Sequence, residues 1–441
     1  MRSTSALTFV ALLLALGDAR QANANGRIPE ANQLVVADGD PDFLVLRMTF
    51  GVLVSRDRGK TWDWICESAI GYSGVFDPPV AIADGRTLLA GTFNGLAVSE
   101  NAGCSWVRKA PIDTSFVVDV ATFPGAPKRA IAVTNNFDKG DDAGAPLYVS
   151  RVALSNDSAR TWTFAAAALD PTLVVDTIDF ARSDPQRIYV TGRRFDPKIE
   201  AFLLASTDGG GSFASFPIPL EPAERGAFIA AVDPNDANRV YVRTISTGDG
   251  GTQIAAGRLL VTDDGGKSFV ERWRGGPPLG FALSPDGKKV WIGSGFGGLY
   301  AADTTSFAFV QLQPFIVKCL AATTDRLYAC SSEFVPADAA PREGFVLGES
   351  LNDGATFAPV YKLTQIRGPL ECAASTETAK CAAEWPQLKV TLGIDAGTTP
   401  PPPPPPEPSC GCTSAAFGDV GAGSLAALAV ATLAVLARRR R

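Results

Sequence analysis

Six times along the chain a Ser or Thr is followed two residues later by Asp or Asn, two later again by a small residue, and then by a Ser or Thr and an aromatic. The acid or amide positions are Asp57, Asn101, Asp157, Asp208, Asp264 and Asn352, and the closing aromatics are Trp62, Trp106, Trp162, Phe213, Phe269 and Phe357. A column of carboxylates suggests acid–base chemistry. Two copies carry an amide instead, and an Asp or Asn side chain accepts backbone N–H bonds within a tight turn, so these groups are assigned to their own turns. The small residue permits the positive φ such a turn needs and is Gly in every copy but one, where Ala159 stands.

Other chemistry is narrowed by what the chain lacks. It contains no histidine, which removes Ser-His-Asp and Cys-His catalysis, histidine-ligated zinc and an imidazole pH switch. Acid–base work would fall to carboxylates, Tyr, Lys or Cys. Outside the boxes, the candidates are Asp138, Asp142 and Glu200 in long polar segments, and Arg27 ahead of the first repeat. They form no assignable catalytic constellation, and no cofactor or metal set is assigned. With 40 Lys and Arg against 46 Asp and Glu, the net charge of −6 argues against nucleic acid as a partner.

The elements that position these residues follow from a second periodicity. Before each box lies an apolar run, a turn, and another apolar run. The second runs occupy 43–48, 87–91, 129–133, 187–190, 239–242, 289–292 and 326–329. Seven runs predict seven repeats, the one without a clear box having a degraded copy at Gly298, Leu299, Tyr300, Asp303, Ser306 and Phe307. Adding the strands on either side of the box gives four short strands per repeat, the composition of a propeller blade. The expectation is all-β: a seven-bladed β-propeller of four-stranded blades over 25–367, its first blade 33–66 and its last 315–364, with no helix-period pattern before Cys372.

Boxes between third and fourth strands put the second-to-third loops on the opposite face. Those loops are long: 135–145 with Asp138, Asp141 and Asp142, 193–201 with Arg194, Asp196 and Glu200, 246–257 with Asp249, and 331–344 with Glu333. The fourth-to-first connection 67–79, bearing Tyr72 and Asp77, opens there too. Long loops on a rigid scaffold make this the candidate recognition face.

Six cysteines precede a proline run, an even count suited to an exported protein. Proximity along the chain and in the blades pairs Cys66 with Cys104, Cys319 with Cys330, and Cys372 with Cys381. Residues 368–394, with Cys381, Trp385 and Leu388, are expected to form a small cap against the last blade. The N-terminus reads as a signal peptide, 1–24: Arg2, an apolar stretch from Ala6 to Leu16, and Ala22-Asn23-Ala24 before a mature start at Asn25. At the other end, 395–409 is a proline-rich, polyproline II spacer, and 410–441 holds Cys410, Cys412, an apolar helix over 421–437 and four terminal arginines.

The boxes resemble the Asp-box of the bacterial-neuraminidase-repeat family, shared by sialidases, some glucanases, sortilin-like receptors and photosystem assembly factors. The last thirty-odd residues resemble the sorting signal of myxobacterial surface proteins, which implies processing near Cys410 or Cys412 and cell-surface display. Arg27-Ile28-Pro29 resembles the sialidase motif that carries a substrate-clamping arginine, and an inverting glucanase would need two facing carboxylates. The expected function is a monomeric, exported, non-enzymatic recognition or scaffold propeller for a glycan or envelope protein, with a membrane contact through its C-terminal segment; the alternative is an exo-glycosidase of the sialidase or glucanase type.

Overall fold

A computed structural model of the chain describes residues 27–74, 76–140, 146–195, 198–246, 256–333 and 344–394. The signal-peptide, proline-linker, Cys410, Cys412 and C-terminal-helix expectations lie outside the described residues, as do Asp141, Asp142, Asp196 and Asp249.

Seven antiparallel sheets form the ring, each from four strands consecutive in sequence. The blades run over 31–65, 80–108, 117–168, 174–218, 224–275, 278–313 and 319–361. The second and third strands are buried on both faces, between the neighbouring blades, so they read as unbroken apolar runs rather than as alternation. Gly51–Ser55 and Thr87–Thr92, for example, are buried at every position. The fourth strands form the outer rim and are largely exposed, as in Val270–Gly275, except in blade 1, where Trp62–Ile65 is buried.

Closure uses no exchange of strands between the first and last blades. Instead the chain leaves blade 7, and strand Ile366–Pro369 adds in parallel to the outer edge of blade 1, against Trp62–Ile65. Arg367 grips Asp63 at 2.6 and 3.0 Å, and the Leu370 N–H donates to the Trp64 carbonyl. Helix Cys381–Leu392, here α2, follows. The cap therefore lies against blades 1 and 2, not against blade 7 as expected: Trp385 packs on Trp64 with ring centroids 5.9 Å apart, and the Thr378 hydroxyl donates to the Gly103 carbonyl at 2.5 Å.

This path re-pairs the cysteines. Cys319 and Cys330 sit directly opposite on adjacent strands and are bonded as expected. The other two expected pairs are incorrect: the bonds are Cys66–Cys381 and Cys104–Cys372, spanning 315 and 268 residues. The reason is the cap's location, which puts each of its cysteines beside a different blade. Two smaller expectations also change. A short helix, Glu67–Ile70 (α1), stands in the 67–79 connection. The supposed loop 135–145 is mostly paired strand, since Ala126–Gly140 and Pro146–Ser155 continue their ladder as far as Gly140 opposite Pro146.

Candidate functional site

The repeated turn has one geometry. In blade 1 the Ser55 hydroxyl donates to Asp57 Oδ1 at 2.9 Å and accepts from the Gly59 N–H at 2.8 Å. Asp57 then accepts from the Thr61 N–H at 2.9 Å and the Thr61 hydroxyl at 2.6 Å, and Trp62 Nε1 donates to the Gly59 carbonyl at 2.9 Å. The Asn copies accept the same backbone bond, Ser105 N–H to Asn101 at 2.8 Å and Thr356 N–H to Asn352 at 2.9 Å. Negative charge is thus dispensable to the turn. Where it is present these donors favour it: hydrogen bonds from the Ser206 and Ser212 hydroxyls and the Ser212 N–H hold Asp208 down to about 2, and those from Ser268 and Thr262 do the same for Asp264. In the degraded blade 6 copy the Phe307 N–H donates to the Asp303 carbonyl, while the Phe307 ring keeps its place beside Tyr241 of blade 5.

On the opposite face, each loop candidate is held differently. Arg27 donates to Asp77 at 2.5 Å and to the Gly74 carbonyl at 3.0 Å. Asp77 also accepts from Asn32 at 2.6 Å, and Asn32 accepts from Arg47 at 2.6 Å, so Arg27 belongs to a network that fixes the 67–79 connection. Glu200 is paired with Arg194 at 2.7 Å and Lys198 at 3.4 Å. Glu333 accepts the Leu363 N–H at 2.8 Å. Asp138 is exposed near the tip of the blade 3 ribbon. Glu200 and Asp138 stand on different blades. Among the described residues, no group of three or more His, Cys, Asp or Glu side chains is placed to hold a metal ion.

The inner strands carry polar residues that sequence reasoning missed. Arg47 and Arg243 lie at equivalent ends of second strands, and each braces the next blade: Arg47 donates to the Asp77 and Pro78 carbonyls, Arg243 to those of Pro278 and Leu279 at 2.7 and 3.0 Å. Burial lowers the pKa of both. Asp119 and Asp179, on the inner strands of blades 3 and 4, are pushed up by burial to about 6 and about 7, and Asp176 to about 7 against the pull of Arg193. A cavity of ≈ 150 Å³ in the channel is lined by Asn32, Gln33, Arg243 and Phe281 among others. Asp119 and Asp179 use their oxygens on backbone, Asp119 accepting from the Ile178 N–H of the next blade at 3.0 Å and Asp179 from the Phe180 N–H at 2.8 Å, while Asp176 pairs with Arg193 at 3.0 Å.

Exposed aromatic surface distinguishes the two faces. Among the described residues the exposed phenylalanines all lie opposite the boxes: Phe93 (52% exposed) and Phe296 (66%) in second-to-third turns and Phe137 (51%) on the paired blade 3 ribbon. Phe93 packs with Phe76 and Phe116 at centroid distances of 4.4 and 4.6 Å. The signal for this was weak, because the phenylalanines come from turns, a strand and fourth-to-first connections with no common spacing.

No family model matches the sequence, and no curated protein matches it. Solved propellers are similar in fold. An ancestral GH74 enzyme is 15% identical with a TM-score of 0.49, over 65% of this chain and 39% of that one. The extracellular domain of what is described as a hybrid two-component system from B. thetaiotaomicron is 14% identical with a TM-score of 0.46, over 69% and 37%. The Cps50 (Swd1) propeller domain of Myceliophteria thermophila is 12% identical with a TM-score of 0.42, over 70% and 95%. The chain spans about two fifths of the length of the first two, and at these identities the likeness concerns fold alone.

Proposed function

We propose that the protein is an exported recognition module of the Asp-box type, displayed at the cell surface through its C-terminal segment, and that it binds a glycan or another envelope protein through the face opposite the boxes. The observation that carries the reading is the distribution of exposed phenylalanines among the described residues, all on that face, where the Arg27–Asp77–Asn32–Arg47 network also fixes the connection before blade 2. Exposed aromatic surface on an otherwise satisfied scaffold marks interaction sites. The disulfides agree with export. Catalysis draws less support. Arg27 and Glu200, two of the candidate catalytic groups, are engaged in ion pairs, Arg27 with Asp77 and Glu200 with Arg194.

The test is a glycan array probed with the full chain, run together with fluorogenic sialosides and glucosides. Retention of a glycan without release of product supports the proposal. Hydrolysis abolished by Arg27→Ala, or by Asp138→Asn or Glu200→Gln, replaces it with a glycosidase. Surface display is checked by sequencing the mature termini of the cell-surface fraction, and an intact Met1 in the cytosol overturns it.

A further inference from the structure

We infer that the cleft between α1 and the second-to-third turn of blade 2 is a binding site for a neutral pyranose unit. This inference rests on the reading that the face opposite the boxes is the recognition face, and gives that face a ligand class and a location.

The cleft has a volume of ≈ 380 Å³ and is lined by Ser68, Gly71, Tyr72, Ser73, Phe93 and Asn94. That is at the lower end of the range for small-molecule sites and suits one or two sugar rings. Its walls are tied together by one side chain. Arg108 of blade 2 donates from Nη2 to the carbonyls of Ile70 at 2.9 Å and Gly71 at 3.1 Å, and from Nε to the Asn94 carbonyl at 3.0 Å. The guanidinium thus bridges the end of α1 and the turn that presents Phe93 and Asn94. Residue 71 has to be Gly for this. Its φ is +86°, and a Cβ there would lie 2.5 Å from Arg108 Nη2.

The lining has the two-sided character of a sugar ring. One wall is the face of Phe93, more than half exposed yet held from behind by Phe76 and Phe116, so that little freedom is lost when a ligand stacks on it. Around it stand the Ser73 hydroxyl and the Asn94 amide, which make no side-chain hydrogen bond among the described residues. Tyr72 is 7% exposed, and its hydroxyl is buried without a partner. That hydroxyl points in among Glu67, Asp77, Arg47 and Arg27, so Tyr72 anchors the wall and leaves Ser73 and Asn94 as the groups offered to a ligand. The lining residues themselves carry no charge, and the nearest charged groups are already engaged, Arg108 with the wall carbonyls and Glu384 with the Ser68 hydroxyl, so the cleft is not built around an anionic or cationic ligand. An apolar peptide side chain would cover Phe93 and make no use of the Ser73 hydroxyl or the Asn94 amide. A pyranose offers a C–H face to the ring and hydroxyls to the rim.

The experiment is calorimetric titration of the full chain with cellobiose, maltose and N,N′-diacetylchitobiose, with sialyllactose as the charged control. At least one neutral disaccharide binds, and Phe93→Ala and Asn94→Ala each weaken it by roughly tenfold or more. Phe93→Trp and Phe296→Ala leave it within about threefold, and unchanged thermal melting shows that the variants fold, as expected where the altered side chains are exposed. A neutral sugar bound equally by the wild type and by Phe93→Ala and Asn94→Ala overturns this site and leaves the recognition reading standing. Failure of every neutral sugar to bind overturns the ligand class, and retention of another glycan on the array in that case leaves the recognition reading standing. Preference for sialyllactose overturns the argument from the uncharged lining.

Discussion

Removing the two bonds of the C-terminal clasp tests how the ring is closed. Replace Cys66 and Cys381 by Ala, Cys104 and Cys372 by Ala, and all four together. The bonds close loops of 315 and 268 residues, and the second loop is nested within the first. While one bond is present the other adds only an effective loop of roughly 47 residues, worth about 4 kcal/mol by chain entropy, so each single removal costs about that much. Breaking the remaining bond releases a loop of several hundred residues, and a further 5 to 6 kcal/mol or so is lost. The double removal therefore costs clearly more than the sum of the two single ones. Guanidinium unfolding followed by the fluorescence of the seven tryptophans measures all three variants against the wild type. A four-Ala variant no less stable than either two-Ala variant would refute the reasoning, because the clasp would then be held by its strand and helix contacts and the covalent tethers would be redundant.

Three further outcomes follow from the same structure. Trp62→Ala costs about 3–5 kcal/mol, since the indole is 1% exposed, packs on Tyr361 and donates to the Gly59 carbonyl; denaturant midpoints check it. Asp57→Asn is nearly neutral, as the Asn101 and Asn352 turns lead one to expect, whereas Asp57→Ala loses the bonds from Ser55 and Thr61 and costs about 1–2 kcal/mol. Burial holds Asp179 at about 7 in the folded state, so the folded protein binds the proton more tightly than the unfolded chain, and this group's penalty is absent below the unfolded pKa and grows until pH passes about 7. Asp179→Asn accordingly stabilises by roughly 2–4 kcal/mol at pH 8 and little at pH 4, and equal effects at both values in thermal melts would contradict the assignment.

Much of the architecture was legible because it repeats. Seven apolar runs and six boxes phase each other, and a strand buried between two blades must be apolar on both sides, so runs such as 43–48 and 239–242 announced themselves. The Cys319–Cys330 bond was legible for a related reason, its two residues lying opposite in one hairpin. The clasp was not. Residues 366–394 carry no repeat, and whether Cys381 reaches Cys66 or Cys372 depends on which blades the cap crosses, a matter of long-range packing. The 135–145 segment, rich in Asn, Asp, Lys and Gly, reads as loop, yet its first part, 135–140, continues a ladder already begun in the blade. At the candidate site, the face was legible from loop lengths. The cleft was not, because Tyr72, Phe93 and Arg108 come from a connection, a turn and an outer strand with no shared spacing.

The claim that recognition belongs to the face opposite the boxes is tested most directly by hydrogen–deuterium exchange of the full chain, with and without the array glycan it retains most strongly. Slowed exchange is expected at 67–74, 91–96, 135–140 and 146–150, with the box turns 55–62 and 206–213 unchanged. Protection confined to the box turns, or conversion of the glycan to product during the measurement, would contradict it.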